Sequence, residues 1–201
     1  MNVSRTLATG LLTCGALAAG LTTAAMTSSA VTPDSAPAAA AKSSTPSVKL
    51  HLDPSSDALA KCMPKAKVNV KVELKTDKVG FDDFEVKASG LPANTAFTVF
   101  LLQQAESPFG AAEYIGDIFT DGKGRASNEF KLIVQESFSS VVVNGQRVRT
   151  DLNQVGMWFA DPAGDDFCLG KGKGPVTPFD GDDEAGTQAF NSRNATPLPA
   201  P

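Results

Sequence analysis

Hydrophobic and polar residues alternate with a period of two along much of the chain after residue 60. The clearest run covers residues 68–74, where three valines and a leucine are separated by polar residues, and residues 84–88 repeat the pattern. Such alternation is typical of a β-strand with one buried and one solvated face. Residues 97–102 are apolar at all but one position, which predicts a central strand that is buried on both faces.

Turn signals separate these runs at regular intervals. Residues 90–94 (GLPAN) and 121–124 (DGKG) combine Gly, Pro, Asn and Asp, the residue types that form turns. Asn144-Gly145 lies between two valine-containing runs and favours a tight hairpin, because both residue types adopt positive φ readily. The only helix candidates are short, at residues 57–62 and 108–113. About seven strands at this spacing predict an all-β fold, an antiparallel Ig-like β-sandwich.

The first 30 residues have a different character. Residues 1–30 combine one basic residue, Arg5, with an uncharged apolar stretch and end in small residues before Val31, a pattern typical of a cleaved secretory signal peptide. One alternative is a retained membrane anchor, although a stretch rich in Gly, Ala and Thr makes a poor spanning helix. Another is lipid attachment at Cys14, for which the preceding threonine is a poor fit. The chain is therefore predicted to be secreted.

Composition sets the bounds of the folded domain. Residues 31–60 are rich in Ala, Pro, Ser and Thr, which predicts a disordered linker, although an alternation at residues 48–52 leaves open a loose edge strand. Residues 191–201 are predicted to be a disordered tail on the same grounds. The β-sandwich is thus expected over residues 61–190. No segment after the signal peptide is long and apolar enough to predict a membrane span.

The cysteine count predicts a crosslink. Removal of residues 1–30 leaves two of the three cysteines, Cys62 and Cys168. In an oxidising compartment an even number of cysteines favours a disulfide bond. The alternative is two separate buried thiols.

Charge and residue types exclude several functions. The formal net charge is −4, which argues against a nucleic-acid partner. His51 is the only histidine, so Ser-His-Asp and Cys-His nucleophile schemes and zinc sites with two histidine ligands are excluded. We therefore predict a protein that is not an enzyme and needs no cofactor. A hydrolase that depends on two carboxylates is kept as an alternative.

Two charged regions have more than one interpretation. Asp180, Asp182 and Glu184 could converge on a hard cation such as Ca²⁺, although their spacing does not match an EF-hand; the alternative is a solvated acidic loop. Six lysines lie between residues 61 and 78. They could protect an edge strand from aberrant pairing, attract an anionic polymer of the cell envelope, or form ion pairs across the fold.

Part of the chain resembles known secreted proteins. Residues 86–99 (VKASGLPANTAFTV) resemble a strand–turn–strand unit of exported bacterial Ig-like domains. The order of residues 120–138, 145–147 and 154–156 is similar to that in neocarzinostatin-type apoproteins, small secreted actinobacterial sandwiches that hold a hydrophobic chromophore in a cleft. The resemblance covers residues 86–161 and implies an exported sandwich and a bound apolar ligand. The family's two short-range disulfides are not matched here.

These observations favour a secreted, non-enzymatic binding or surface-interaction module, with a cell-envelope component as one class of partner. The alternative is a carrier for a small hydrophobic ligand. Its candidate ligand-binding residues are Phe100, Met157 and Trp158, at the apolar centres of two predicted strands. The simpler interpretation of these three residues is ordinary core packing.

Overall fold

The structure, a computed structural model, describes residues 45–178 and 184–200. The described residues form ten strands: β1 Ser47–Pro54, β2 Lys67–Glu73, β3 Asp82–Ser89, β4 Ala96–Leu102, β5 Ala112–Phe119, β6 Ala126–Leu132, β7 Phe138–Val143, β8 Gln146–Asp151, β9 Gln154–Phe159 and β10 Gln188–Asn191. They also form the short helices α1 Asp57–Cys62, α2 Thr76–Val79 and α3 Asp166–Leu169, and 3-10 turns at Val134–Glu136 and Pro162–Asp165. None of the helices in these two ranges combines the length and apolar character that a bilayer crossing requires.

Eight strands form one antiparallel sheet, which confirms the predicted all-β, antiparallel class of fold. Their order is β5-β4-β9-β10-β1-β2-β3-β6, and β7 and β8 pair separately as a hairpin. The large sheet curls until it is nearly barrel-shaped. Its end strands approach each other, since Asn128 Nδ2 on β6 donates to the backbone oxygen of Asp117 on β5 at 3.1 Å.

The alternating side chains build the core as the pattern predicts. Even-numbered residues of β2 face inward, and Val72 pairs with Phe84 of β3, which pairs in turn with Phe130 of β6. On the other half of the sheet Phe97 and Phe159 are cross-strand partners with ring centroids 4.9 Å apart. The predicted hairpin is also present, because Asn144 and Gly145 both have positive φ between β7 and β8.

The folded region is wider than residues 61–190. Residues 47–54 lie within the predicted linker but form β1, which pairs with β2 along most of its length. The apolar side chains Leu50 and Leu52 are buried there, so this short alternation supplies a strand of the sheet rather than a linker. At the other end Leu198, in the predicted tail, is buried and its amide donates to Asn153 O at 2.8 Å. Residues 1–44, which hold the predicted signal peptide and the first half of the predicted linker, lie outside the described residues.

The predicted crosslink is confirmed. Cys62 at the end of α1 and Cys168 in α3 form a disulfide with an S–S distance of 2.04 Å. The bond joins residues that are 106 positions apart in the chain. It therefore holds the segment after β1 against the segment after β9.

Removal of this bond is expected to destabilise the domain substantially. Closing a loop of this length restricts the unfolded chain, which is worth about 4 kcal/mol in the chain-entropy model. We expect the double variant Cys62→Ser/Cys168→Ser to lose about 3–5 kcal/mol of unfolding free energy in urea titrations. The reduced wild-type protein serves as the control and should show the same loss. A loss below about 1 kcal/mol in both samples would contradict the prediction.

Candidate functional site

A cleft lies on the outer face of the sheet, where β4, β9 and β10 are neighbours. It encloses about 760 Å³. Trp158 of β9 lines it from the sheet, and the described walls come from segments that are far apart in the chain. These are Ser55 and Ser56 before α1, Glu106, Ser107 and Phe109 in the β4–β5 loop, Pro175 to Pro178, and Thr187 with Gln188.

The alternation along β9 decides which side chain reaches the cleft. Val155, Met157 and Phe159 belong to the main core, whereas Trp158 belongs to a second apolar cluster. The residue at position 156 is a glycine, and an added Cβ there would collide with the indole ring of Trp158. Gly156 therefore leaves room for the indole ring against the strand.

Aromatic rings surround Trp158. The ring of Phe100 lies 5.3 Å and the ring of Phe109 lies 5.0 Å from the indole centroid, both edge-on, and Tyr114 contacts Phe100 edge-on at 5.9 Å. Such edge-to-face contacts stabilise aromatic pairs beyond the area they bury. The single Trp and the single Tyr of the chain thus belong to one set of ring contacts, of which Trp158 and Phe109 line the cleft.

Most polar groups of the walls are bonded within the protein. Gln188 Nε2 donates to Ala105 O at 2.9 Å, and the Ser55 hydroxyl donates to the backbone oxygen of Gln188. Thr177 Oγ1 donates to Gly186 O at 3.0 Å. These bonds fix the walls and leave few side-chain groups there to engage a ligand.

The cleft has one charged side chain among its described lining residues. Glu106 Oε1 accepts from Arg193 Nη1 at 2.9 Å. The same guanidinium donates to the backbone oxygens of Pro54 and Ser55. This carboxylate is consequently part of a structural ion pair at the rim.

A row of buried polar atoms crosses the sheet beside the cleft. Asp117 of β5, Thr98 of β4, Trp158 of β9 and Gln188 of β10 are successive cross-strand partners. Among the described residues four buried side-chain polar atoms lack a hydrogen-bond partner, and three of them belong to this row: Asp117 Oδ1, Thr98 Oγ1 and Trp158 Nε1. Buried polar groups are normally paired, so their concentration in one place marks the row as a functional candidate.

The structure separates the three predicted ligand-binding residues. Phe100 and Trp158 lie together in the outer cluster with Phe109. Met157 is fully buried in the main core because adjacent residues of a strand point to opposite faces. Met157 is thus a core residue and does not line the cleft.

The predicted cation site is largely outside the described residues. Asp180 and Asp182 are not described, and Glu184 is exposed. Within residues 45–178 and 184–200 no cluster of three or more His, Cys, Asp or Glu side chains could hold a metal ion.

Several lining residues were missed by sequence reasoning. Ser55 and Ser56 fell in the predicted linker, yet Ser56 caps α1, its Oγ accepting from Leu59 N at 3.3 Å. The helix itself agrees with the candidate predicted at residues 57–62, and a serine before Asp57 is a typical N-cap signal. The sequence gives no indication that Phe109 lines the cleft, because only the tertiary fold places the ring of a loop residue against a strand.

The lysine-rich region forms ion pairs across strands. Lys75 contacts Glu73 and Asp83, and Lys131 also contacts Asp83. Hydrogen bonds from Lys131 and Lys75 lower the pKa of Asp83, and the bond to Asp83 raises the pKa of Lys75. This network favours the ion-pair interpretation for Lys75 over attraction to an external polymer.

A buried carboxyl group stands behind one wall of the cleft. Asp165 is fully buried, and its Oδ2 accepts from the amide of Thr187, a lining residue, at 3.1 Å. An added Cβ at Gly174, next to the lining residue Pro175, would collide with this carboxyl group. Burial raises the pKa of Asp165 above its ordinary value.

Comparison with models of protein families, with curated protein sequences and with solved structures finds no match. The cleft itself is lined by two aromatic residues, Phe109 and Trp158, and by walls whose polar side chains are mostly hydrogen-bonded within the protein.

The raised pKa of Asp165 predicts a specific pH dependence. The raised pKa means that folding favours the neutral form of the Asp165 carboxyl group. The contribution of this group to the free energy of unfolding is therefore fully present at low pH and is lost as pH rises through the raised pKa of the folded state. We expect Asp165→Asn to remove this loss, so that the variant becomes more stable relative to wild type as pH increases from about 4 to 7. Urea unfolding across this range measures the difference.

The exposed substitution Glu113→Gln is the control for the Asp165 measurement and should leave the pH profile unchanged. A wild-type protein that gains stability over Asp165→Asn with rising pH would contradict the assignment.

Proposed function

We propose that this protein is an exported, non-enzymatic binding protein that takes a small molecule with a flat apolar body into the cleft above Trp158. The observation that carries the proposal is the aromatic cleft itself. Its volume of about 760 Å³ lies within the range of roughly 300–1,000 Å³ that small-molecule sites occupy. The sequence favours two functions, a surface-interaction module and a carrier for a small hydrophobic ligand. The geometry of this cleft favours the carrier.

The lining supports binding better than catalysis. Glu106 is the one carboxylate among the described lining residues, and it is ion-paired with Arg193. A carboxylate-dependent hydrolase needs a second carboxyl group facing the first across the substrate. The edges of Phe100 and Phe109 instead hold the indole in place, which is what a preformed binding surface requires.

Export is supported by two features that do not depend on the cleft. The disulfide between Cys62 and Cys168 is compatible with an oxidising compartment, and residues 1–30 have the composition of a signal peptide. The finer assignment as an Ig-like sandwich is supported by the pairing pattern: β1-β2-β3-β6 and β10-β9-β4-β5 are joined through only two residue pairs at the end of β1.

Ligand binding can be tested with the single tryptophan as the reporter. We expect fluorene to change the Trp158 fluorescence saturably at micromolar concentrations, and decanol to do so more weakly, because a rigid ring system loses less conformational freedom on binding than a flexible chain. Phe109→Ala removes one ring of the site and should weaken fluorene binding about tenfold or more, from the apolar contact that is lost.

The matched control for Phe109→Ala is Phe119→Ala. Phe119 lies on β5 with 70% of its surface exposed and does not line the cleft, so its removal should leave the affinity for fluorene unchanged. The proposal fails if no apolar molecule gives a saturable signal, or if both substitutions weaken binding equally.

A second candidate function rests on the β7–β8 hairpin. Four of its large apolar side chains are about half exposed or more: Phe138, Val142, Val143 and Val148. Phe138 and Val142 share a face with Arg147 and Arg149 because they lie opposite or diagonal to them in the register. The guanidinium of Arg149 lies 4.0 Å from the ring centroid of Phe138. The same face carries Asp151, whose Oδ1 accepts from Arg149 Nε at 2.8 Å, so one of the two arginines is ion-paired. An exposed apolar face with a net positive charge is typical of an interaction surface, here toward an anionic component of the cell envelope.

The hairpin can be tested independently of the cleft. We expect the wild-type protein to sediment with phosphatidylglycerol vesicles and not with phosphatidylcholine vesicles. Arg147→Gln/Arg149→Gln should reduce the bound fraction several-fold, whereas Lys123→Gln/Lys171→Gln, which removes two exposed charges elsewhere, should not. If both double variants lose the same fraction of vesicle binding, net charge and not the hairpin is responsible for the binding, and the proposal for the hairpin fails.

A further inference from the structure

A second pocket lies over the outer face of β2, β3 and β6. It encloses about 440 Å³, and the described residues that line it include three cations, Lys67, Lys87 and Arg125, and one carboxylate, Asp121. We propose that this pocket binds a phosphate monoester of a polyol or sugar, with the phosphate group among the three cations and a hydroxyl group of the polyol beside Asp121. The proposal does not depend on the cleft above Trp158.

The strand register places two serines between the cations. Ser89 of β3 is the cross-strand partner of Lys67, and Ser127 of β6 is the cross-strand partner of Lys87. All four side chains belong to the outer face, because the residues that alternate with them along β2 and β3 are buried in the core. Short serine side chains beside long cationic ones leave a concavity in the sheet surface, and both serines line the pocket.

The pocket also offers neutral hydrogen-bond donors. The hydroxyl groups of Ser89 and Ser127 have no hydrogen-bond partner within the described residues, and a hydroxyl group can donate to an anion. Asn69, which also lines the pocket, has its Oδ1 atom 3.2 Å from His51 Nδ1 in a hydrogen bond. This bond uses the oxygen of the amide and leaves the Nδ2 group of Asn69 to donate.

The cations are available to a ligand. Lys67 forms no ion pair with any of the described residues, whereas Lys87 contacts Glu85 at 2.5 Å and Arg125 Nε lies 3.7 Å from Asp121 Oδ2. The side chains of Lys87 and Arg125 are 61% and 59% exposed. Exposed ion pairs of this kind contribute little to stability, so both side chains can turn toward an anion at little cost.

Asp121 is the one carboxylate of the described lining, and it separates the pocket into two parts. Its Oδ1 atom accepts from the amides of Lys123 and Arg125 at 2.8 Å and 2.9 Å. These hydrogen bonds, first that from Arg125, hold the pKa of Asp121 below its ordinary value. The carboxylate is therefore charged and fixed to the turn. It repels a phosphate group and accepts a hydrogen bond from a hydroxyl group, which favours a ligand that carries both.

A phosphate monoester matches these donors better than a carboxylate does. Its group has three acceptor oxygens and a charge of about −1.5 to −2 at pH 7, whereas a carboxylate has two oxygens and a single charge. Lysine and arginine are the residues that proteins commonly use to bind phosphate. Three cations and two hydroxyl groups around one pocket therefore favour the phosphate.

Glycerol 3-phosphate, glycerate and inorganic phosphate test the two parts of the proposed ligand. Glycerate combines hydroxyl groups with a carboxylate, and inorganic phosphate has no polyol. We expect glycerol 3-phosphate to bind about fivefold more tightly than either of the others, the difference that one further hydrogen bond to a charged group provides. Isothermal titration calorimetry at low salt, on the protein with its disulfide intact, measures the three affinities.

Amide signals show where the ligand binds. In a ¹⁵N-labelled sample we expect glycerol 3-phosphate to cause its largest shifts at the amides of Ser89 and Ser127. The single indole N–H signal, that of Trp158, should stay unchanged. The pocket and the cleft are thus observed separately in one spectrum.

A double variant removes two of the three cations. Lys67→Gln/Arg125→Gln should weaken the binding of glycerol 3-phosphate about tenfold, because each exposed charge contributes modestly and the two effects add. The matched control is Lys61→Gln/Lys78→Gln, which removes the same charge from exposed lysines that do not line the pocket. The control should keep the wild-type affinity.

Asp121→Asn tests the polyol part of the ligand. Asparagine keeps an oxygen that can accept from the two amides of the turn and removes the negative charge. We expect this variant to bind inorganic phosphate more tightly than wild type does, and to lose the preference for glycerol 3-phosphate.

The proposal is overturned if glycerol 3-phosphate does not bind, or if glycerate binds as tightly. It is also overturned if both double variants lose the same affinity, because overall charge then accounts for the binding. If wild type binds inorganic phosphate as tightly as glycerol 3-phosphate, the assignment of a polyol to Asp121 is wrong. The function proposed for the cleft is decided separately, by its own test with fluorene.

Discussion

Burial of both faces of β4 and β9 is the constraint on which the rest of the structure depends. The inner face of this strand pair carries Phe97 and Phe159 into the main core, while the outer face carries Phe100 and Trp158. An outer face of this kind has to be covered, because a bare aromatic patch would be exposed to water. The β4–β5 loop, through Phe109, and the segment around Ala185 provide the cover. The cleft is the part of the outer face that the cover leaves accessible.

The segments that form the cover are held by a disulfide and by hydrogen bonds within the protein. The disulfide fixes α3 to α1, and Asp165 at the start of α3 accepts from the amide of Thr187. Arg193 ties the β4–β5 loop, through Glu106, to the end of β1. The cleft therefore depends on contacts between distant parts of the chain: the disulfide and the bonds of Arg193 join residues more than 80 positions apart. Its stability and its shape should change together when these contacts are removed.

The cleft and the hairpin present two different chemistries. The cleft is concave and aromatic, with one carboxylate in an ion pair. The β7–β8 hairpin is exposed and apolar, with Arg147 and with Arg149, which pairs with Asp151. Near β2, Lys71 and Lys75 contact Glu73 at the end of that strand, and Lys75 also contacts Asp83 of β3. The two surfaces that carry the proposed functions are thus separate parts of one small domain.

The sequence by itself determined the strands and the crosslink. Alternation at residues 68–74 and 84–88 and the Asn144-Gly145 turn are local signals, and the pairing of Cys62 with Cys168 follows from an even count in an oxidising compartment. The tertiary structure alone decided that residues 47–54 complete the sheet, that Met157 and Trp158 serve different clusters, and that Phe109 covers the indole. The physical reason is that alternation records which residues are buried but not what buries them. When both faces of a strand are apolar, only the packed fold distinguishes the core from the wall of a binding cleft.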